Sequence, residues 1–157
     1  MSSSFDTFDH ERHVTRAIEL AREAVDRGDR PFGSVLVRDD AVVAEASNRV
    51  VTEADLRRHP ELDLAVEADR EFAPDERART VMYTSTEPCP MCAGGLRSVG
   101  LARVVYSVGA HELREFTGDA KGGETPVRAA AILDGVTDVT GPVLNDEGRA
   151  VHEAFDW

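Results

Sequence analysis

Apolar residues recur along the chain at two periods, and the alternation between these periods predicts the order of helices and strands. Between His10 and Arg27 they fall on one face of a helix, which Gly28 ends. Two short apolar runs follow over 34–38 and 41–46, separated by two aspartates, and this pattern predicts a β-hairpin. The first part of the chain is therefore expected to be a helix followed by a hairpin.

The middle of the chain alternates between the two periods. A second helix is expected from Pro60 to Phe72, because proline suits the first turn of a helix, where an amide hydrogen would have no partner. Strands are expected over 80–85 and 103–108, and between them a helix from Pro90 to Val99, ended by Gly100. Helices that alternate with strands in this way predict a layered α/β domain.

The periods are harder to follow after Gly109, where several glycines interrupt them. We expect a loop from there to Val127 that borders the functional pocket, since long loops often carry function. A short helix over 127–133, a weak strand over 136–139 and a last helix over 146–155 complete the predicted elements.

Length and composition favour one intracellular domain. A chain of 157 residues can bury a sufficient core without disulfides, so we expect a single domain over 1–157 with a flexible amino-terminal segment over 1–9. No apolar run is long enough to span a membrane, and the start lacks the pattern of a signal peptide. These features, with only two cysteines, predict a soluble protein of the reducing cytoplasm.

The charge of the chain is strongly acidic. Thirty acidic residues outnumber eighteen basic ones, the net charge is -12, and Lys121 is the only lysine. Such a surface repels polyanions, which argues against nucleic acid as a substrate. An acidic, lysine-poor surface is also typical of proteins from salt-accumulating halophiles, although an ordinary solvated acidic surface would give the same charge.

The two cysteines carry the strongest chemical signal. Cys89 and Cys92 form a Pro-Cys-x-x-Cys motif, and at the start of a helix both sulfurs would face the same side. The amino end of a helix also favours thiolates. With His59 upstream they supply three zinc ligands, and an open fourth position in a tetrahedral site is typical of a catalytic zinc rather than a structural one.

Glu61 lies two residues beyond His59 and is not needed as a ligand. Its natural role is to carry protons between water and a substrate beside the metal. A Cys-x-x-Cys motif alone is more often half of a structural zinc site or a redox pair. A structural site would need a fourth ligand, and a redox pair would not account for the upstream His-x-Glu, so the residues favour a catalytic zinc.

These motifs resemble the signature of the zinc-dependent cytidine deaminase-like superfamily. Pro-Phe-Gly at 31–33, Asn48, Asp55 and the run over 86–94 are similar to the branch that holds guanine deaminases, cytosine deaminases and tRNA adenosine deaminases, in order from His10 to Val108. The resemblance implies a three-layer α/β/α sandwich with a mixed five-stranded sheet. It also implies one zinc ion per chain and a homodimer or higher homo-oligomer with pockets near subunit contacts.

The resemblance implies a set of substrate contacts as well. Asn48 should hydrogen-bond the substrate, and the chain near Ser85 should contact the base edge. His111 is a further candidate, although a single loop histidine is most often only solvated. In related base deaminases a carboxyl-terminal aromatic residue closes over the bound ring, which makes Trp157 a candidate, although packing of the last helix on the core is its favoured role.

Two features depart from the pattern of the family. Arg57 and Arg58 stand where small residues are usual, and they could bind an anionic or carbonyl-rich substrate, although ion pairs with acidic neighbours are the favoured alternative. The segments over 109–116 and 145–149 differ from the loop and the basic tail of the tRNA enzymes. This second departure argues against tRNA.

The function expected from the sequence is zinc-dependent hydrolytic deamination of a free nucleobase or nucleoside, with release of ammonia. Guanine or another aminopurine is the first candidate, and cytosine is next. The alternatives are a tRNA-specific adenosine deaminase and, more remotely, a zinc-stabilised binding module without catalysis. A binding module would close the metal with a fourth protein ligand and release no ammonia from any base.

The acidic, lysine-poor surface generates a stability prediction. Because salt screens repulsion among carboxylates, the melting temperature should rise by at least about 5 °C between about 0.1 M and about 2 M KCl. Thermal unfolding followed by circular dichroism in a series of KCl concentrations measures this shift. A melting temperature that does not change across the series would contradict the halophilic interpretation.

Overall fold

The computed structural model describes residues 4–118 and 127–157. Its centre is a mixed sheet of five strands in the order β2-β1-β3-β4-β5. The strands are β1 (Gly33–Arg38), β2 (Ala41–Ser47), β3 (Thr80–Thr86), β4 (Arg103–Val108) and β5 (Asp138–Thr140). The α-helices are α1 (His10–Arg27), α2 (Pro60–Glu71), α3 (Pro74–Arg77), α4 (Pro90–Val99), α5 (Ala110–Thr117), α6 (Ala129–Ile132) and α7 (Asn145–Glu153).

The sheet combines an antiparallel half with a parallel half. β1 pairs antiparallel with β2 and with β3, whereas β3, β4 and β5 run parallel. Asp39 and Asp40 form the turn between β1 and β2, with φ of 54° and 58°. Two residues of positive φ are what a two-residue hairpin turn needs, so the predicted hairpin is confirmed.

Two apolar clusters lie on opposite faces of the sheet. Because side chains alternate along a strand, Val35 and Tyr83 pack with α1 on one face, while Leu36 and Met82 pack with α2 and α4 on the other. The predicted three-layer α/β/α sandwich with a mixed five-stranded sheet is therefore confirmed. In the part of the chain that the structure describes, no helix is both long and apolar enough to cross a membrane.

The predicted loop after Gly109 is wrong over 110–117, where the chain forms α5. The side chain of Glu112 accepts a hydrogen bond from the backbone nitrogen of Gly109 at 2.9 Å, which caps the helix at its amino end. Gly118, with φ of 62°, ends the helix. The other glycines that suggested a loop, Gly122 and Gly123, lie outside the described residues.

The last three predicted elements are present with shifted ends. The expected helix over 127–133 is the shorter α6, the expected strand over 136–139 is β5, and the expected helix over 146–155 is α7. Each shift is small, because propensity and periodicity define the interior of an element better than its ends.

The segment over 1–9 was expected to be flexible, but its described part is folded. Ser4–Thr7 form a short 3-10 helix, and Phe5 and Phe8 pack against the core cluster beneath α1. The rings of these two phenylalanines meet edge to face, with centroids 5.8 Å apart. Burial of two aromatic rings offsets the entropy lost when the segment is ordered. Residues 1–3 lie outside the described residues.

Close packing of α2 against α4 positions the functional site. Gly95 of α4 faces Leu62 of α2, and a methyl group at position 95 would lie 2.7 Å from Leu62 Cδ1. A side chain at position 95 would therefore displace the end of Leu62, so glycine favours the close approach of the two helices that the sequence suggested. The neighbouring Gly94 faces open space and has no such role.

Candidate active site

The three predicted zinc ligands meet between the amino ends of α2 and α4. His59 Nδ1 lies 3.5 Å from the sulfur of Cys89 and 3.5 Å from that of Cys92, and the two sulfurs are 3.5 Å apart. A tetrahedral zinc with Zn–S of about 2.3 Å and Zn–N of about 2.0–2.1 Å implies N···S near 3.5–3.6 Å and S···S near 3.7–3.8 Å. The three atoms therefore fit one zinc ion.

Two prolines explain why the ligands stand at helix ends. Pro60 and Pro90 occupy the first helical positions, so His59 and Cys89 precede the helices with extended backbone. Cys92 follows in the first turn of α4 and is buried. Because α2 and α4 pack side by side, the two helix ends bring ligands from distant parts of the sequence to one point.

The two thiols are electrostatically coupled. Hydrogen bonding with Cys92 lowers the pKa of Cys89 to about 4, and the same interaction raises the pKa of Cys92. The two shifts have opposite directions because a proton on one sulfur donates to the other sulfur. A metal ion that takes the place of this proton would stabilise both sulfurs as thiolates.

Glu61 lies beside the three ligands, in the first turn of α2, and is 4% exposed. Its Oε1 accepts hydrogen bonds from the hydroxyls of Thr84 at 2.9 Å and Ser34 at 3.2 Å. Burial is the main cause that raises the pKa of this carboxyl group. The sheet thus holds a buried carboxyl group in a fixed orientation next to the metal ligands.

A cavity of about 290 Å³ opens from this group of residues. His59, Cys89 and Glu61 line one part of it, and Asn48 and Trp157 are also among its lining residues. Ser85 and His111, the other two candidate substrate contacts, do not line it. The remaining lining residues are Arg30, Phe32, Thr86, Glu87, Pro88, Pro90, Ala110, Leu113, Arg114, Thr117 and Val127.

Asn48 is held in place by its backbone and by one side-chain oxygen. Its carbonyl accepts a hydrogen bond from Arg27 at 2.7 Å, and its nitrogen donates to the carbonyl of Phe32 at 3.0 Å. Asn48 Oδ1 accepts a hydrogen bond from the backbone nitrogen of Val50 at 3.0 Å. These bonds leave the Nδ2 amide group as the donor that Asn48 can offer to a ligand in the cavity.

Strand geometry explains the position of Ser85. Thr84 directs its hydroxyl to Glu61, so the next side chain along β3 points to the other face of the sheet. There Ser85 Oγ accepts a hydrogen bond from the backbone nitrogen of Gly33 at 3.0 Å. His111 is an exposed residue in the first turn of α5, and its ring lies against Gly109.

Trp157 both packs and lines the cavity, so its two suggested roles are compatible. Its ring contacts Phe32, Phe155 and His152, with centroid distances of 5.9, 4.8 and 5.8 Å. His152 is buried, and burial lowers its pKa to about 4. The tryptophan therefore stacks on a neutral histidine at the edge of the cavity.

The segment after Gly109 borders the cavity as predicted, but it does so as the helix α5 and not as a loop. Leu113, Arg114 and Thr117 line the cavity from this helix, and Arg30 lines it from the turn before β1. The signal for the helix was present in the spacing of Gly109 and Glu112, which form its amino-terminal cap.

Arg57 and Arg58 form ion pairs and do not line this cavity. Arg57 binds the carboxylate of Asp55 with two nitrogens, at 2.8 and 3.0 Å. Arg58 contacts Glu53 and Asp63, each at 3.2 Å. The favoured alternative for the two arginines, pairing with acidic neighbours, is confirmed.

Comparison with known proteins identifies the family. The model of the cytidine and deoxycytidylate deaminase zinc-binding region matches residues 7–108. The chain belongs to this deaminase family. The matched region contains His59, Cys89 and Cys92, which form a candidate zinc site, and also contains Glu61.

Several relatives of the deaminase have curated functions. A probable cytosine deaminase of Schizosaccharomyces pombe is 31% identical over 153 residues, covering 91% of the chain and 90% of the relative. A guanine deaminase of Bacillus subtilis is 40% identical over 88 residues, covering 55% of the chain and 56% of the relative. tRNA-specific adenosine deaminases are also among the relatives.

A solved structure shows the same fold. The structure of a guanine deaminase from Nitrosomonas europaea superposes with a TM-score of 0.76 at 22% identity, covering 91% of the chain and 82% of that protein. At this identity the similarity establishes the architecture of the deaminase and does not select a substrate.

The geometry of the ligands generates a prediction about metal content. Protein purified without chelators should contain about one zinc ion per chain, since three donors converge and two of them are thiolates. Cys92→Ser should lose most of this zinc after dialysis, whereas Met91→Leu, a change in the same helical turn, should retain it. Elemental analysis of the three proteins measures the ratio. Wild-type protein without zinc, or Cys92→Ser with full zinc, would contradict the site.

Proposed function

We propose that this deaminase hydrolyses the exocyclic amine of a nucleobase or nucleoside and releases ammonia, with guanine or another aminopurine as the first candidate. One observation carries the proposal: the buried carboxyl group of Glu61 lies beside a three-ligand zinc site at a cavity of about 290 Å³. A carboxyl group that is not a ligand, next to an open metal position, is the arrangement that proton transfer to a substrate requires.

Glu61 is the residue to which we assign proton transfer. When bound, zinc would activate a water molecule as a nucleophile near neutral pH. Glu61 accepts a proton from the water and delivers it to the substrate, so that a C–O bond forms, the C–N bond breaks and ammonia leaves. The hydroxyls of Thr84 and Ser34 bind Oε1, and the same carboxyl group is hydrogen-bonded with the side chain of Cys92, one of the three candidate ligands.

The cavity offers a largely apolar space with one oriented amide. Phe32 and Trp157 present aromatic rings, and Leu113 and Val127 add aliphatic surface. Asn48 Nδ2 supplies a hydrogen-bond donor for a carbonyl oxygen or a ring nitrogen of the base. Stacking surfaces with a few placed polar groups are what a heterocyclic base requires.

The relatives include deaminases of both candidate bases. The guanine deaminase has the higher identity, 40%, over a shorter stretch of 88 residues. The cytosine deaminase has 31% identity over 153 residues, nearly the whole chain. Guanine is placed first because the similarity to its deaminase is higher.

The acidic charge disfavours the tRNA-specific alternative. The chain has a net charge of -12, and the arginines beside the histidine ligand, Arg57 and Arg58, are neutralised by carboxylates. A tRNA substrate needs unpaired cations for its phosphates. Assembly into a homodimer or larger homo-oligomer and a cytoplasmic location stay predictions from the sequence.

The position of Glu61 generates a prediction about catalysis. Glu61→Gln should keep zinc and the fold but lower kcat by at least about a hundredfold, since the amide cannot carry the proton. Glu67→Gln, an exposed position on the same helix, is the matched control. Ammonia release, zinc content and circular dichroism are measured for all three proteins. Near-normal turnover by zinc-loaded Glu61→Gln would refute the assignment.

The choice of substrate is tested by a panel. Guanine, cytosine and adenine, their nucleosides and a tRNA anticodon stem are offered to the zinc-loaded protein, and ammonia release is followed. We expect guanine and its nucleoside to give the highest kcat/KM and the tRNA anticodon stem to release no ammonia. A preference for the tRNA stem would favour the adenosine deaminase alternative, and no release from any substrate would contradict deamination.

A further inference from the structure

A second cavity adjoins the one that contains the metal ligands. It has a volume of about 310 Å³ and shares Arg30, Thr117 and Trp157 with the first cavity. His59, Cys89 and Glu61 do not line it. The two cavities are therefore neighbours, with Arg30, Thr117 and Trp157 at their common border.

Arg30 lines both cavities, and the contacts of the described residues leave its guanidinium available to bind a ligand. Its side chain is half-buried, yet no carboxylate of the described residues lies within 4.0 Å of its guanidinium. By contrast, the nearby Arg27 is bound by Asp29, Ser47 and Asn48. A guanidinium carries five hydrogen-bond donors, so a partly buried arginine without such partners can bind acceptor oxygens of a ligand.

The second cavity also contains acceptors. Asp156 lines it and is exposed, and Thr117 lines it with a hydroxyl that donates to the carbonyl of Leu113 at 3.3 Å. The hydroxyl oxygen of Thr117 can still accept. Asp29 also lines this cavity, but its carboxylate is already bound by Arg27, Val51 and Thr52.

The second cavity places hydrogen-bond donors beside acceptors. Hydroxyl groups of a ligand fit such a cavity, because a hydroxyl group both donates and accepts. A sugar hydroxyl could accept from Arg30 and donate to Asp156. A phosphate could bind Arg30 as well, but it would face the negative charge of Asp156. The chemistry of the cavity therefore favours a neutral polyhydroxylated group over an anionic one.

We propose that the second cavity is a sugar subsite and that the preferred substrate is a nucleoside rather than a free base. The proposal rests on the proposed function, since it places the base of the same substrate in the first cavity. Arg30 acts as a specificity-determining residue for the ribosyl group, and Asp156 orients the same group.

Steady-state kinetics with matched pairs test this subsite. For guanosine against guanine, and for cytidine against cytosine, the wild-type protein should show a kcat/KM at least about tenfold higher for the nucleoside. Arg30→Ala should lower that ratio by about tenfold or more, because it removes a charge-assisted hydrogen bond to the sugar. Arg22→Ala, an exposed arginine on α1 that lines neither cavity, should leave the ratio unchanged.

Nucleoside 5′-monophosphates separate a sugar site from a phosphate site. We expect a lower kcat/KM for guanosine 5′-monophosphate than for guanosine, and Asp156→Asn should narrow that difference. Preference for the monophosphate would overturn the neutral-sugar assignment. A wild-type preference for free bases, or equal losses for base and nucleoside in Arg30→Ala, would overturn the subsite itself.

Equilibrium binding distinguishes failure of the subsite from failure of the proposed function. Isothermal titration of zinc-loaded Glu61→Gln with guanosine and with guanine measures affinity without turnover. Tighter binding of guanosine that Arg30→Ala removes would support the sugar subsite even if no ammonia were released. Equal affinity for the two ligands would overturn the subsite while leaving deamination of the base intact.

Discussion

The candidate site depends on the close packing of α2 against α4. A glycine at position 95 lets Leu62 approach the backbone of α4, and the two helices then present their amino ends at one point. His59 and Cys89 occupy the residues just before these helices, where Pro60 and Pro90 fix the first turns. A metal bound there would link two segments that are distant in sequence, so that metal affinity contributes to folding.

The sheet supplies what the helices cannot, a fixed orientation for Glu61. Ser34 on β1 and Thr84 on β3 reach the same carboxyl oxygen from adjacent strands. A buried carboxyl group costs free energy unless it is hydrogen-bonded, and two hydroxyls reduce that cost. They are also neutral, so they orient the group without the positive charge that would hold it permanently ionised.

Residues in short motifs could be predicted from the sequence, whereas residues brought together by tertiary packing could not. His59, Cys89, Cys92 and Glu61 have their relative positions fixed by two helix starts, and the sequence marks those starts with proline. α5 was missed because the glycines after Gly109 suggested a loop. The carboxylate of Glu112 makes two contacts, one with the backbone nitrogen of Gly109, which caps the helix, and one with Asn145 Nδ2 at 2.8 Å. The second of these contacts is invisible to local patterns.

The candidate zinc ligands and part of the cavity lining come from different parts of the chain. The family match ends at residue 108, and it includes the three ligands, Glu61 and Asn48. Leu113, Thr117 and Trp157 also line the cavity, and they come after residue 108 in the chain. The cavity is therefore built jointly, because the matched region supplies Arg30, Phe32 and Asn48 to its lining and the segments after residue 108 supply the rest.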